Sequence, residues 1–310
     1  MDRRTLLKST LSTTLGAGVL AANAAQAIAA QPVASRATSG IGDFIEAAPG
    51  VKLAFTDWGA GKPVVFVHAW ALPSPMWDYQ IAHLSERGFR CIAFDRRGHG
   101  RSSVPSGGYD FDTLADDLAA VLDTLDLTQV TLVGCSVSSG EMVRYLTRHG
   151  ASRIARLVFV SPAATPFPTK TADNPNELPA EVYEGFRRHV LAHDYPKWLE
   201  ENRPAFFTPE TSLEMQNWIK GLMIGTPVKV AIECNRFACA TDFRSELPQI
   251  SLPTLVIHGD KDASSPLERG RRTAQLIPGA QFKIYEGAPH GLFVTHMERL
   301  NVDLANFAKA

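Results

Sequence analysis

The sequence predicts an α/β fold: a mostly parallel, eight-stranded sheet with helices on both faces and a helical cap inserted late in the chain. Three observations carry this expectation. From Pro63 onward, short β-branched runs alternate with longer stretches of apolar residues at helical spacing, the rhythm of a parallel sheet with crossover helices. Between about Pro162 and Glu246 the rhythm stops and helical segments follow one another, separated by Pro and Thr. It then resumes to the C-terminus. The core should therefore comprise residues 42–161 and 247–310, with a helical cap of 162–246. Such a cap would lie over the carboxyl edge of the sheet, where open α/β sheets bind ligands.

The elements follow in order. Phe44–Ala47 and Val51–Thr56 read as strands meeting at Pro49-Gly50. Val64–Val67 is a buried strand by its unbroken apolar run. Ser74 reads as an N-cap with Pro75 at the first helical position, opening a helix to Arg87 that buries Met76, Tyr79, Ile81 and Leu84. Arg90–Phe94 is the next strand. Asp112 should cap a long helix carrying Leu114, Leu118, Val121, Leu122 and Leu125 on one side. Val130–Val133 and Ile154–Val160 are strands flanking a helix over Gly140–His149. In the cap, Glu181–His193, Pro196–Glu201, Leu213–Leu222 and Val228–Ala240 read as helices. Thr254–His258 and Gln281–Tyr285 are strands, separated by a helix over Leu267–Leu276 and followed by a terminal helix over Leu292–Ala308.

Composition narrows the function. Of the 310 residues 45% are apolar and 20% charged, with a formal net charge of −1, as in ordinary globular proteins. A near-neutral balance argues against nucleic acid as the main partner. Four cysteines are too few for a disulfide scaffold and lack the spacing of a zinc site. No cofactor or metal motif appears, and no feature sets an oligomeric state. Cys234 and Cys239 lie five apart in an expected helix, on different faces, so no disulfide between them is expected.

Residues 1–27 read as an export signal. Arg3, Arg4 and Lys8 precede a short apolar stretch, and Ala25-Gln26-Ala27 suits signal peptidase. Arg3-Arg4-Thr5-Leu6-Leu7-Lys8 resembles the twin-arginine motif, so the expected location is periplasmic or secreted, in a bacterium. Residues 28–41 would be a flexible lead-in, and no stable membrane insertion is expected after cleavage.

The chemistry concentrates at strand ends. Gly134-Cys135-Ser136-Val137-Ser138 joins a strand to a helix and is a degenerate G-x-S-x-G nucleophile elbow, with serine for the second glycine. Ser136 is the expected nucleophile, because the strand should stop at Gly134. Ser138 and Cys135 are its rivals. A serine hydroxyl needs a base, and His290 fits, following a strand and the loop Glu286-Gly287-Ala288-Pro289. His99, His258 and His296 have structural readings. In His258-Gly259-Asp260-Lys261-Asp262 two acids end a strand. Asp262, deeper in the loop, should orient His290, while Asp260 braces the loop. The order Ser136, Asp262, His290 is that of an α/β-hydrolase. In that fold the loop after Val64–Val67 supplies one backbone N–H to the developing oxyanion and the residue after the nucleophile another, which assigns Trp70 and Val137.

Several stretches carry a closer resemblance: Thr56-Asp57-Trp58-Gly59, Met76-Trp77-Asp78-Tyr79-Gln80, Phe94-Asp95-Arg96-Arg97-Gly98-His99-Gly100-Arg101-Ser102, Thr241-Asp242-Phe243-Arg244 and Ala288-Pro289-His290-Gly291. With them, residues 43–308 resemble the cofactor-free haloperoxidase and aryl-esterase branch of the α/β-hydrolases. The resemblance implies a Ser136–Asp262–His290 triad and no cofactor. The chain departs from the family's H-G-W and G-F-S-M-G-G at Ala69, Ser138 and Ser139. The expected activity is hydrolysis of a small aryl or alkyl carboxylic ester or lactone through an acyl-enzyme. Carbon–carbon bond hydrolysis, acyl transfer on the same triad, and a non-catalytic binding role are the alternatives. Epoxide hydrolases and haloalkane dehalogenases have Asp where Ser136 stands. Among the cap's apolar residues, Phe207, Trp218 and Met223 are expected in the substrate pocket with Trp70. Family members noted for peracid formation resemble H-G-W-P, whereas this chain has Ala71 after Trp70. That implies a less constrained Trp70 carbonyl and only weak perhydrolase or haloperoxidase activity.

Overall fold

The structure is a computed structural model that describes residues 43–310. The export signal and the whole of the lead-in fall outside them. Eight strands form one sheet: β1 (Phe44–Ala48), β2 (Val51–Gly59), β3 (Lys62–Val67), β4 (Phe89–Phe94), β5 (Val130–Cys135), β6 (Ile154–Val160), β7 (Thr254–Gly259) and β8 (Gln281–Tyr285). Their order is β1-β2-β4-β3-β5-β6-β7-β8. β2 runs antiparallel to β1 and β4, and every other pairing is parallel.

The two-residue period of the strands divides the core in two. Val65, Val67, Ile92, Phe94 and Leu132 face one side, with Leu118 and Leu122 of α2 (Phe111–Thr124) and Met142 of α3 (Ser138–His149). Val64, Phe66, Cys91, Ala93 and Val133 face the other, with Ile81 and Leu84 of α1 (Asp78–Ser85). Helices therefore cover both faces, which is why β5 and β7 are buried along their whole length.

Between β6 and β7 the chain is helical: α4 (Ala180–Phe186), one π-helical turn over Arg187–Leu191, α5 (Ala192–Glu201), α6 (Arg203–Phe206), α7 (Leu213–Ile224) and α8 (Val228–Ala240). The expected break before Pro196 is a kink inside α5 at Asp194 (φ −150°, ψ 68°), whose carboxylate accepts from Lys197 N at 3.0 Å. After β7 come α9 (Leu267–Leu276), α10 (Leu292–Thr295) and α11 (Met297–Lys309).

Several boundaries differ from expectation. The cap of α2 is Asp110, which accepts from Thr113 N, rather than Asp112. Ser74 caps nothing with its side chain. It begins a 3₁₀ turn, and its N–H donates to Asp95 Oδ1 at 2.8 Å. Tyr79 is 43% exposed instead of buried. The terminal helix breaks at His296, and α6 had no signal longer than its four residues.

Candidate active site

β5 runs one residue past Gly134, and Ser136 follows at once with φ +60°, a left-handed conformation that is unfavourable for a residue with a Cβ. Hydrogen bonds hold the turn. Ser136 N donates to Val160 O at 2.9 Å, and Ser136 O accepts from Ser139 Oγ at 2.8 Å, Ala163 N at 3.1 Å and Ser139 N at 3.2 Å. Ser139, which replaces a family glycine, thus ties down the turn with its hydroxyl. Ser138 does the same from beneath: its buried Oγ donates to Cys135 O at 2.8 Å and Val67 O at 3.3 Å. Gly134 is required there, since a Cβ would lie 2.6 Å from Ser138 Oγ and 2.3 Å from Met142 Sδ. Cys135 packs into the core below the sheet, and burial pushes its thiol pKa well up, with the charge of Asp262 adding to the effect.

Three of the residues expected at strand ends meet. His290 Nε2 lies 3.0 Å from Ser136 Oγ, and His290 Nδ1 lies 2.7 Å from Asp262 Oδ2. The other carboxylate oxygen of Asp262 accepts from Ser265 N at 2.7 Å and Ser264 N at 2.9 Å. Burial alone would raise the pKa of Asp262. The charge of His290 and the hydrogen bonds from His258 and His290 outweigh it and hold the carboxyl well below the usual range. Asp260 turns away and accepts from Gly287 N at 2.7 Å, bracing the loop. His296 bonds Thr295 Oγ1 and His99 bonds Arg97 O, so neither approaches Ser136.

The loop after β3 carries Trp70. Neither Trp70 N nor Val137 N donates to a backbone group among the described residues, and both residues line one cavity with Ser136 and His290. Beneath the loop lies a group the sequence reading missed. Buried Arg96 donates through Nη2 to the carbonyls of His68 and, at 2.8 Å, Ala69, and its Nη1 lies 3.3 Å from Glu141 Oε2. Ala71 has φ +58°, and its carbonyl accepts from Thr226 Oγ1 at 2.9 Å. The loop is therefore tied at the carbonyls of His68, Ala69 and Ala71, on either side of Trp70.

The cavity encloses about 390 Å³ and is mostly apolar. Trp70, Phe207 and Met223 line it as expected. Trp218 does not: its ring packs edge-on against Tyr79 at 5.8 Å, on the outer side of α7. Phe206 was not expected at the site, yet its ring stands edge-on to His290 at 5.6 Å. All four cysteines are free and buried.

The model of the alpha/beta hydrolase fold family matches residues 62–297. The chain belongs to this family. It is an enzyme of the hydrolase class within the branch of non-heme haloperoxidases and esterases. It is 38% identical to a non-heme haloperoxidase of Rhodococcus erythropolis over 86% of this chain and 99% of the relative. It is 34% identical to a bifunctional esterase/perhydrolase of Acinetobacter calcoaceticus, over 86% and 99%. Among solved structures, an esterase from Exiguobacterium antarcticum aligns with a TM-score of 0.84 at 32% identity, covering 87% of this hydrolase and all of the esterase.

Proposed function

We propose that this hydrolase cleaves small aryl or alkyl carboxylic esters or lactones through an acyl-enzyme on Ser136. The observation that carries the reading is the relay of short contacts, Ser136 Oγ to His290 Nε2 at 3.0 Å and His290 Nδ1 to Asp262 at 2.7 Å. His290 takes the proton of Ser136 as Oγ attacks the carbonyl carbon, then returns it to the leaving alcohol. Asp262 keeps Nε2 free to accept by holding the proton on Nδ1. The backbone N–H groups of Trp70 and Val137 stabilise the oxyanion. Water, activated by the same imidazole, releases the acid. Hydrogen peroxide in place of water would give a peracid, a side activity in keeping with the esterase/perhydrolase relative. We further propose export through the twin-arginine signal, which Arg3→Lys together with Arg4→Lys should abolish.

The test is a panel of p-nitrophenyl and aryl esters with purified protein, and a fluorophosphonate label mapped by peptide sequencing. Ser136→Ala should lose both hydrolysis and label. Asp262→Asn should lower kcat by several orders of magnitude through the wrong His290 tautomer, and Asp260→Asn far less. Labelling elsewhere, or equal losses in the two Asn variants, would refute the assignment.

A further inference from the structure

We propose that His258 is a positioning residue for the reaction, a second histidine that fixes the carboxylate of Asp262 from the side opposite His290. The inference rests on the reading of Ser136, His290 and Asp262 as the catalytic relay. His258 is the penultimate residue of β7 and fully buried. Its Nε2 lies 2.8 Å from Ser265 O and 3.4 Å from Asp262 Oδ2. A carbonyl oxygen only accepts, so Nε2 carries a proton, shared between Ser265 O and Asp262. Nδ1 has no partner among the described residues. It faces Gly270 of α9, where a Cβ would lie only 2.2 Å from Nδ1. The ring is thus wedged in one orientation by the absence of a side chain at position 270.

With His258 included, each oxygen of Asp262 has two donors: Ser264 N and Ser265 N on Oδ1, His290 Nδ1 and His258 Nε2 on Oδ2. Ser265 in turn donates through Oγ to Pro162 O at 2.7 Å, so the acid is locked to the ends of both β6 and β7. The titratable groups facing Asp262 are His290 on the loop after β8, His258 on β7 and Cys135 on β5. Arg269 of α9 is turned to Glu177 and Ala163 O instead. Removing the His258 donor concentrates the charge of Asp262 on His290. That favours the imidazolium and should move the acid limb of the kcat/KM profile to higher pH.

The experiment compares full-length wild type with His258→Leu, His258→Gln and Gly270→Ala, using p-nitrophenyl acetate from pH 5 to 9 and thermal unfolding. His258→Leu should lower kcat about tenfold, as expected for loss of a hydrogen bond to a charged group, with KM within about twofold. Its acid limb should rise by about half a pH unit. His258→Gln restores an N–H and should recover most of both. Gly270→Ala would ordinarily favour a helix, but here it should displace the ring and shift the acid limb the same way. If His258 merely fills space, His258→Leu changes the unfolding temperature and leaves the profile in place, which overturns the proposal. Should His258→Leu not fold, an unshifted limb in Gly270→Ala overturns it equally. A Ser136→Ala variant that still turns over would refute the relay itself, a distinct outcome.

Discussion

Ser136 and Ser138 stand two residues apart in opposite surroundings. The hydroxyl of Ser136 meets His290, whereas that of Ser138 is spent on two main-chain carbonyls beneath the turn. Ser138→Ala should therefore keep a substantial fraction of ester hydrolysis and lose about 1 kcal/mol of stability, read by urea unfolding. A dead but folded Ser138→Ala would exchange their roles. Glu141 sets a pH dependence. Burial pushes its carboxyl up to about 7, although Arg96 opposes the shift. A carboxyl that binds its proton more tightly when folded contributes stability that is complete below about pH 4.5, its ordinary value, and lost as pH rises through 7. Two to three pH units correspond to about 3 kcal/mol. Urea unfolding from pH 4.5 to 8 should thus show a decline that Glu141→Gln flattens, and an identical decline in the variant would refute the assignment. Ser136, Asp262 and His290 were legible in the sequence because each follows a strand within a short, distinctive loop. Arg96, Glu141 and Thr226 were not, because their partners lie 27 to 155 positions away and are partly main-chain carbonyls, which no residue pattern marks.

At the scale of elements, the strands were the most readable parts, since burial on both faces leaves unbroken apolar runs. Helix starts were less so. Asp110 and Asp112 are both capping types, and only the chain's entry angle chooses between them. Trp218 was misplaced because α7 carries apolar residues on two sides, one toward the cavity and one toward Tyr79. The loop after β3 is the element where a sequence comparison misleads most. Proline at position 71 would be fixed near φ −65°, but Ala71 sits at +58°. Ala71→Pro cannot raise perhydrolysis by stiffening this loop as it stands. It should destabilise the protein by about 3 kcal/mol or more, whereas Ala71→Gly should be stable or more so, because glycine removes the left-handed penalty. Thermal unfolding and the ratio of acetate perhydrolysis to p-nitrophenyl acetate hydrolysis check both. A folded Ala71→Pro of wild-type stability would show that the loop takes another path.

For the whole molecule, the helices between β6 and β7 do more than roof the cavity. They are hydrogen-bonded to the loops that carry the reactive groups. Trp70 Nε1 donates to Ala231 O at 2.8 Å, Thr226 Oγ1 donates to Ala71 O, and Gly291 N donates to Phe206 O at 3.1 Å. The position of the roof therefore helps set the position of Trp70 N and His290. Displacements of about 1 Å at such groups can slow catalysis about 100-fold. Thr226→Val keeps the shape of a buried side chain and removes its donor, leaving Ala71 O unpaired. It should lower kcat about tenfold, leave KM within about twofold, and reduce stability by about 1–3 kcal/mol. Thr208→Val is the control. Thr208 lies between α6 and α7, and its hydroxyl pairs with that of Thr211 rather than with a group of the loop after β3. That variant should keep wild-type kcat. Equal losses in the two variants would mean that the roof acts through general stability, and an unchanged kcat in Thr226→Val would mean that the loop after β3 holds its geometry without it.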